Sequence, residues 1–429
     1  MDYFTYKNGR LFAEDVDVAK IADKVGTPVY IYSKATFKDH LQKIQQAYGR
    51  LDTMICYSVK ACSNINILKF FARSGSGFDI VSGGELYRAR QVGADPAKIV
   101  YAGVGKTDTE IIEALKAGIG YFNIESEEEL ENLIRLTKKV KPAKNKLPRA
   151  ALRINPDVDP CTHAFTATGK KETKFGIDIE RAKKVFADFG KNKFVRLCAL
   201  HLHLGSAGRS VEPYVEAIKK VLALIEQLRS DGFTIEVLDI GGGYGADYIT
   251  ATSPTAADYA AAIVPLLKGK NLKVILEPGA SIAANAAILL TKVLYIKTGG
   301  SKKFVIVDAG MNDLIRPPLY GAFHFIWPAK VNKNLVPPRR DKDLQLAGTE
   351  IVDVVGPICE SADFFAKDRA LPPVRRGDLI AIFTAGAYGF TMASNYNSRP
   401  RPPEVLIDGS KFSVIRKRES YEDLTSLEK

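Results

Sequence analysis

Short apolar, β-branched runs alternate with longer amphipathic stretches through the middle of the chain. Met54–Val59, Phe78–Val81, Lys98–Ala102, Tyr121–Ile124, Ala150–Ile154, Leu197–His203, Ile235–Ile240 and Lys273–Leu276 predict eight strands. Apolar positions at helical spacing predict helices between them, among others over Thr109–Ala117, Glu127–Leu136, Ile179–Phe189, Pro213–Leu228 and Ala256–Leu267. Strands alternating with helices imply a parallel sheet with right-handed crossovers. Eight such units over about 250 residues favour a closed (β/α)8 barrel over an open doubly wound sheet.

The rhythm changes after about residue 290. Val293–Lys297, Phe304–Val307, Glu350–Val355, Asp378–Phe383, Glu404–Ile407 and Phe412–Arg416 read as strands with little helix between them. They predict an antiparallel β domain, a sandwich or a small barrel. Val29–Tyr32 is one further strand and joins the N-terminal residues to that domain. The expected organisation is an α/β barrel over residues 34–285, inserted in an all-β domain made of residues 1–33 and 286–429.

A chain of 429 residues fits this division, since single cores stop growing near roughly 250–300 residues. With 46% hydrophobic and 26% charged residues, disorder is excluded as the main state. The most apolar stretch, Ser281–Ile296, is broken by Asn285, Thr291 and Lys292, so no membrane span is expected. The opening Met1-Asp2-Tyr3-Phe4 does not lead from basic residues into an apolar run, which points to a cytoplasmic protein. Lys and Arg exceed Asp and Glu by 61 to 49, a net charge of +12. The excess is scattered and comes with no stacking motif, so anionic small molecules are better partners than nucleic acid. Five cysteines without metal-ligand spacing read as free thiols and no metal site.

Candidate chemistry gathers at the C-terminal ends of the barrel strands, where barrels of this kind place their sites. The first strand ends in Lys60, and the second runs into Ser82-Gly83-Gly84-Glu85. The sixth carries His201 and His203, set on one face by the two-residue period, followed by Gly205-Ser206. The seventh ends in Asp239-Ile240-Gly241-Gly242-Gly243 and the eighth in Glu277-Pro278-Gly279. The glycines suit a phosphate cradle. Lys60, ending an apolar strand, suits a Schiff-base lysine activated by burial. A phosphate site, such a lysine and the Glu277 carboxylate together suggest pyridoxal phosphate.

These motifs resemble the fold-type III pyridoxal-phosphate decarboxylases. The resemblance rests on Tyr57-Ser58-Val59-Lys60-Ala61, His201-Leu202-His203-Leu204-Gly205-Ser206, Gly241-Gly242-Gly243-Tyr244-Gly245 and Glu277-Pro278-Gly279. Further segments are similar to the diaminopimelate decarboxylase branch. They are Arg153-Ile154-Asn155-Pro156 with Lys174-Phe175-Gly176, Asn312-Asp313-Leu314-Ile315-Arg316-Pro317 with Tyr320, Gly356-Pro357-Ile358-Cys359-Glu360-Ser361, and Ala385-Gly386-Ala387-Tyr388-Gly389. The resemblance spans residues 25–410 or so.

It implies pyridoxal 5′-phosphate bound to Lys60, with His203 stacked on its ring and Glu277 on its pyridine nitrogen. Ser206, Gly242, Gly243, Gly279 and the backbone of Ala280 would hold the phosphate. Arg316, Tyr320, Glu360 and Tyr388 would bind an amino-acid substrate, with Tyr388 also touching the cofactor. Cys359 would be the catalytic acid, and a homodimer would share its sites, Cys359 and Glu360 coming from the partner. The implied reaction is decarboxylation of meso-2,6-diaminopimelate to L-lysine. A relative acting on ornithine, arginine or carboxynorspermidine is one alternative, and a non-catalytic homologue another.

Two positions depart from the family pattern. Ala280 stands where the family has arginine after Glu-Pro-Gly, which removes a charge-assisted contact. Arg209, on the loop after Ser206, is the expected substitute for that charge. Cys62 stands where asparagine is usual.

Overall fold

The computed structural model describes residues 2–140, 142, 146–159, 173–205 and 210–428. The chain forms two compact units. One comprises Met1–Leu41, Ala246–Thr252 and Ala280–Lys429; the other comprises Gln42–Gly245 and Ser253–Gly279.

The second unit is the closed parallel barrel. Its strands are Thr53–Ser58, Gly77–Ile80, Ile99–Tyr101, Tyr121–Ile124, Arg149–Asn155, Arg196–His201, Val237–Asp239 and Lys273–Leu276. Each pairs in parallel with the next, and the last pairs with the first, which closes the ring. The connecting helices start where the sequence places a cap. Thr107 and Glu110 form a reciprocal capping box on Asp108–Ala117, and Thr255 and Asp258 do the same on Ala256–Leu267. Helix Glu127–Lys139 opens with three glutamates and closes with Lys138 and Lys139, matching the helix dipole at both ends, and buries Leu130, Leu133 and Ile134.

The barrel interior is layered. Met54, Cys56, Val100, Tyr121, Ala151, Ala199, Val237 and Ile275 form a buried apolar cluster. Two residues farther along the same strands, on the same face, the inward positions become polar: Ser58, Asn123, Arg153, His201, Asp239 and Glu277. All six are buried. Tyr57 points the other way and stacks on Phe71 of the following helix with ring centroids 3.9 Å apart, worth about 0.5–1.5 kcal/mol beyond its buried area.

The first unit is built on a mixed sheet. Its order is Phe364–Leu371, Glu350–Val355, Lys302–Val307, Ala287–Gly299, Val29–Ser33, Glu404–Asp408 and Lys411–Arg416, with Leu379–Ile382 bridging Ala287–Gly299 to Ile326–Pro328. Most pairings are antiparallel, as expected, but Lys302–Val307 with Glu350–Val355 and Glu404–Asp408 with Val29–Ser33 run parallel. Strand Phe364–Leu371 was not expected. Lys367, Asp368 and Arg369 interrupt its alternation, and Asp368 adopts a φ of 49° next to a register shift. No helix among the described residues is long and apolar enough to cross a membrane.

Candidate active site

Lys60 sits on a short 3-10 turn, Val59–Ala61, directly after the first barrel strand. Its ammonium pairs with the Asp79 carboxylate at very short range and lies 3.4 Å from the Ser58 hydroxyl. The burial expected to activate Lys60 is not found: 32% of its side chain stays accessible. The partner, not the amine, is the buried group. Asp79 is fully enclosed and also accepts a 2.6 Å hydrogen bond from Ser58. Burial and the Glu277 charge push the Asp79 carboxyl above the usual range, and Lys60 pulls against them.

Glu277 lies across the polar layer. His201 Nε2 is 3.4 Å from its Oε2, and Asn123 Nδ2 donates to Oε1 at 3.1 Å while lying 3.3 Å from Asp239 Oδ2. Ligand atoms of His201, Asp239 and Glu277 all fall within 4.8 Å of one another. Two carboxylates this close divide one proton between them. Burial and the Glu277 charge raise Asp239 far above a normal aspartate. Burial also opposes ionisation of Glu277, but the charge and hydrogen bond of His201, with Lys60, bring it well below its ordinary value. Asp239 is therefore the protonated member and Glu277 the anion.

His203 lies two residues past the end of its strand, which stops at His201 rather than continuing as expected. Its Nδ1 accepts a 3.3 Å hydrogen bond from Gly242 N–H, so the ring proton belongs on Nε2. Desolvation, then the Arg153 and Lys60 charges, hold the imidazole far below the usual histidine range and keep it neutral.

The glycines of the loop after the seventh strand have no room for side chains. A Cβ on Gly242 would collide with the Glu277 carbonyl oxygen. One on Gly243, whose φ is +90°, would strike both the Gly205 carbonyl and the Tyr214 hydroxyl. Tyr214 also donates its hydroxyl to the Gly242 carbonyl, pinning the loop from below. A Cβ on Gly279 would crowd Ser58 and Ala61 beside the lysine turn. Ser206 and Arg209 lie outside the described residues.

A second ion pair has no motif to mark it in the sequence. Arg153 Nη1 donates to Glu125 Oε1 at 2.6 Å, and both side chains are nearly inaccessible. Glu125 also accepts from Gly103 N–H and Gly176 N–H, joining the ends of three strands. Asp79, Asn123, Glu125 and Arg153 were all absent from the expected site. The available signal was their placement as polar residues on the inward face of apolar strands.

The remaining candidates belong to the β unit. Arg316 opens the short helix Arg316–Tyr320, and its guanidinium lies over the rings of Tyr248, Tyr320 and Tyr388 at 5.4, 5.6 and 5.9 Å. Ala280 opens the helix Ala280–Ala283. Cys359 and Glu360 share an exposed turn. Asp363 holds that turn by accepting from Ile358 N–H and Met311 N–H, both at 2.6 Å. Asn397 Oδ1 accepts from Cys359 N–H at 2.8 Å, and the Tyr396 hydroxyl donates to Glu360 at 2.8 Å. Cys56, Cys62, Cys198 and Cys359 are all free thiols.

The pyridoxal binding domain of the pyridoxal-dependent decarboxylases matches residues 34–284. The chain is 44% identical to the diaminopimelate decarboxylase of Aquifex aeolicus over 98% of its own length and 96% of that protein. It is 43% identical to the Haemophilus influenzae enzyme over 100% and 99%. The chain belongs to the diaminopimelate decarboxylase family. Two solved diaminopimelate decarboxylases, both in complex with L-lysine, share its architecture. The Helicobacter pylori structure has a TM-score of 0.88 at 40% identity, covering 96% of this chain and 99% of its own. The M. jannaschii structure has a TM-score of 0.91 at 37% identity, covering 100% and 98%.

A diaminopimelate decarboxylase of this family takes pyridoxal phosphate, and the residues of the barrel mouth suit that group. An ionised glutamate matches a protonated pyridine nitrogen, and a run of three glycines matches a phosphate. Asp79 Oδ1 and Asn123 Oδ1 are buried polar atoms with no hydrogen-bond partner among the described residues. Each is an acceptor that a polar group could satisfy.

Proposed function

We propose that the chain decarboxylates meso-2,6-diaminopimelate to L-lysine and CO2 with pyridoxal 5′-phosphate, the last step of lysine biosynthesis. The observation that carries this reading is the polar layer of the barrel mouth. It sets an ion-paired lysine and an ionised glutamate at one opening, in a chain that matches diaminopimelate decarboxylases along its length.

Lys60 would hold the cofactor through its aldehyde group. Asp79, whose carboxyl burial raises and Lys60 lowers, exchanges a proton with Lys60 Nζ. Glu277, ionised, would face the pyridine nitrogen of the cofactor and favour its protonated form, and neutral His203 would lie against the ring without adding a competing charge. Ser206, Gly242, Gly243, Gly279 and the Ala280 backbone hold the phosphate. When bound, the cofactor supplies the electron sink that takes up the bonding pair left by departing CO2. Arg316 binds the distal substrate carboxylate with Tyr320 beside it, Glu360 takes the distal ammonium, and Tyr388 touches substrate and cofactor. Cys359 delivers the proton that replaces the carboxylate. Arg209 supplies the cationic contact that Ala280 lacks. The protein acts as a homodimer in which Cys359 and Glu360 of one protomer complete the site of its partner. A biosynthetic role and the free thiols among the described residues fit the cytoplasm.

Release of CO2 from meso-diaminopimelate, and not from ornithine, arginine or carboxynorspermidine, supports the reading. No release despite full cofactor occupancy overturns it in favour of a non-catalytic homologue. Mixing Lys60→Ala and Cys359→Ala variants tests the shared site. Random exchange of protomers restores about a quarter of wild-type activity, and no restoration refutes sharing.

A further inference from the structure

Arg316 is held in an unusual way. Its Nε is buried and has no hydrogen-bond partner among the described residues. What surrounds the guanidinium is aromatic, with Tyr248, Tyr320 and Tyr388 all within 6 Å of it. Tyr320 and Tyr388 already have places in the proposed substrate site. Tyr248 has none. It comes from the segment Ala246–Thr252, which leaves the barrel sequence to join the β unit.

Tyr248 is itself braced. The His324 ring meets it edge to face, with centroids 5.3 Å apart and planes at 87°. His324 is fully buried, and its Nδ1 lies 2.9 Å from the Phe383 carbonyl oxygen. A carbonyl only accepts, so Nδ1 carries the proton. The other nitrogen, Nε2, is buried without a hydrogen-bond partner among the described residues. Burial, followed by the Arg316 charge, lowers His324 to about 3, so the imidazole stays neutral and adds no cation beside the arginine.

We infer that Tyr248, braced by His324, is a positioning residue that fixes the Arg316 guanidinium by cation–π contact and thereby sets selectivity for substrates with a distal carboxylate. This rests on the proposed role of Arg316. An arginine bound to neighbouring carboxylates is partly neutralised before its ligand arrives. One held by ring faces is oriented while its donors remain available to a substrate carboxylate. The arrangement carries more weight in this chain than it would beside a second arginine, because position 280 is alanine.

The test compares binding of L-lysine, which keeps the distal carboxylate, with cadaverine, which lacks it, by calorimetry on the holoenzyme. Tyr248→Leu weakens lysine about 5- to 30-fold and leaves cadaverine within about twofold. The KM for meso-diaminopimelate rises with lysine affinity while kcat stays within about twofold. Tyr248→Phe keeps the ring face and restores wild-type selectivity. Tyr248→Met replaces the leucine variant if the latter does not fold. Unchanged lysine affinity in a folded Leu or Met variant overturns the inference, as does equal weakening of lysine and cadaverine. Arg316→Met separates this inference from the reading beneath it. If Arg316→Met leaves the lysine-to-cadaverine ratio unchanged, the proposed role of Arg316 fails. If it abolishes that ratio while Tyr248→Leu does not, only the cage fails.

Discussion

Gly243→Ala places a methyl group where the barrel has none to spare. The backbone at Gly243 has φ +90°, in the region that disfavours side chains. An alanine there costs about 1–2 kcal/mol for conformation alone. The new Cβ strikes the Gly205 carbonyl oxygen and the Tyr214 hydroxyl. Displacing two packed neighbours adds about 1–3 kcal/mol, so the barrel loses about 2–5 kcal/mol in total. The collision partners are unequal: Tyr214 can be trimmed, whereas the Gly205 carbonyl is backbone. Tyr214→Phe added to Gly243→Ala therefore recovers less than half of the loss. The double variant also forfeits the hydroxyl bond to Gly242, worth about 1 kcal/mol. Urea unfolding of the apoprotein measures stability, and calorimetric titration with pyridoxal phosphate measures the cradle. Cofactor affinity is expected to fall at least about tenfold, the equivalent of 1.4 kcal/mol. A Gly243→Ala variant with native stability and native cofactor affinity refutes both the clash and the cradle.

Asn123→Leu removes the amide between Glu277 and Asp239 and leaves two adjacent carboxyl groups without their shared donor. A loss of about 1–3 kcal/mol in cofactor binding is expected by the same titration. Glu125→Leu strands the buried Arg153 and destabilises the barrel by about 3–5 kcal/mol in urea, and adding Arg153→Met recovers part of that. Burial pushes Glu85 up to about 7 against Lys60 and the Val81 N–H. A carboxyl raised on folding stabilises below its unfolded value of 4.5 and loses that contribution as pH rises through about 7. Melting temperatures of wild type measured against Glu85→Gln should accordingly fall between pH 4.5 and 7, and a flat difference contradicts the burial argument.

The barrel was legible because its strands are short apolar runs that obey one rhythm. Tyr121–Ile124 and Lys273–Leu276 have the bounds expected from sequence. Glu277 was legible because Pro278 and Gly279 follow it, and Lys60 because a lone basic residue ends an apolar strand. The polar layer was not. Asn123 and Arg153 look like isolated polar residues in apolar strands; closure of the ring sets Asn123 beside Glu277, and pairing of neighbouring strands sets Arg153 beside Glu125. In the β unit, Phe364–Leu371 escaped because a charged triplet breaks its alternation. The N-terminal hairpin, Phe4–Lys7 with Arg10–Ala13, carried a readable signal in Asn8-Gly9, whose φ values of 51° and 75° suit a tight turn. Its strands are only four residues each, too short for periodicity to register.

The mixed sheet also dictates an order of events during synthesis. Val29–Ser33, five buried residues reading Val-Tyr-Ile-Tyr-Ser, is paired on one side by Ala287–Gly299 and on the other by Glu404–Asp408. Neither partner exists until about 250 further residues have been made, a wait on the order of 10–50 s at ribosomal speed. The inserted barrel, by contrast, is contiguous enough to close as soon as Lys273–Leu276 emerges. The apolar N-terminal segment must therefore remain unpaired while an entire domain forms behind it. That interval, rather than any weakness of the finished protein, is when this chain is most exposed to aggregation.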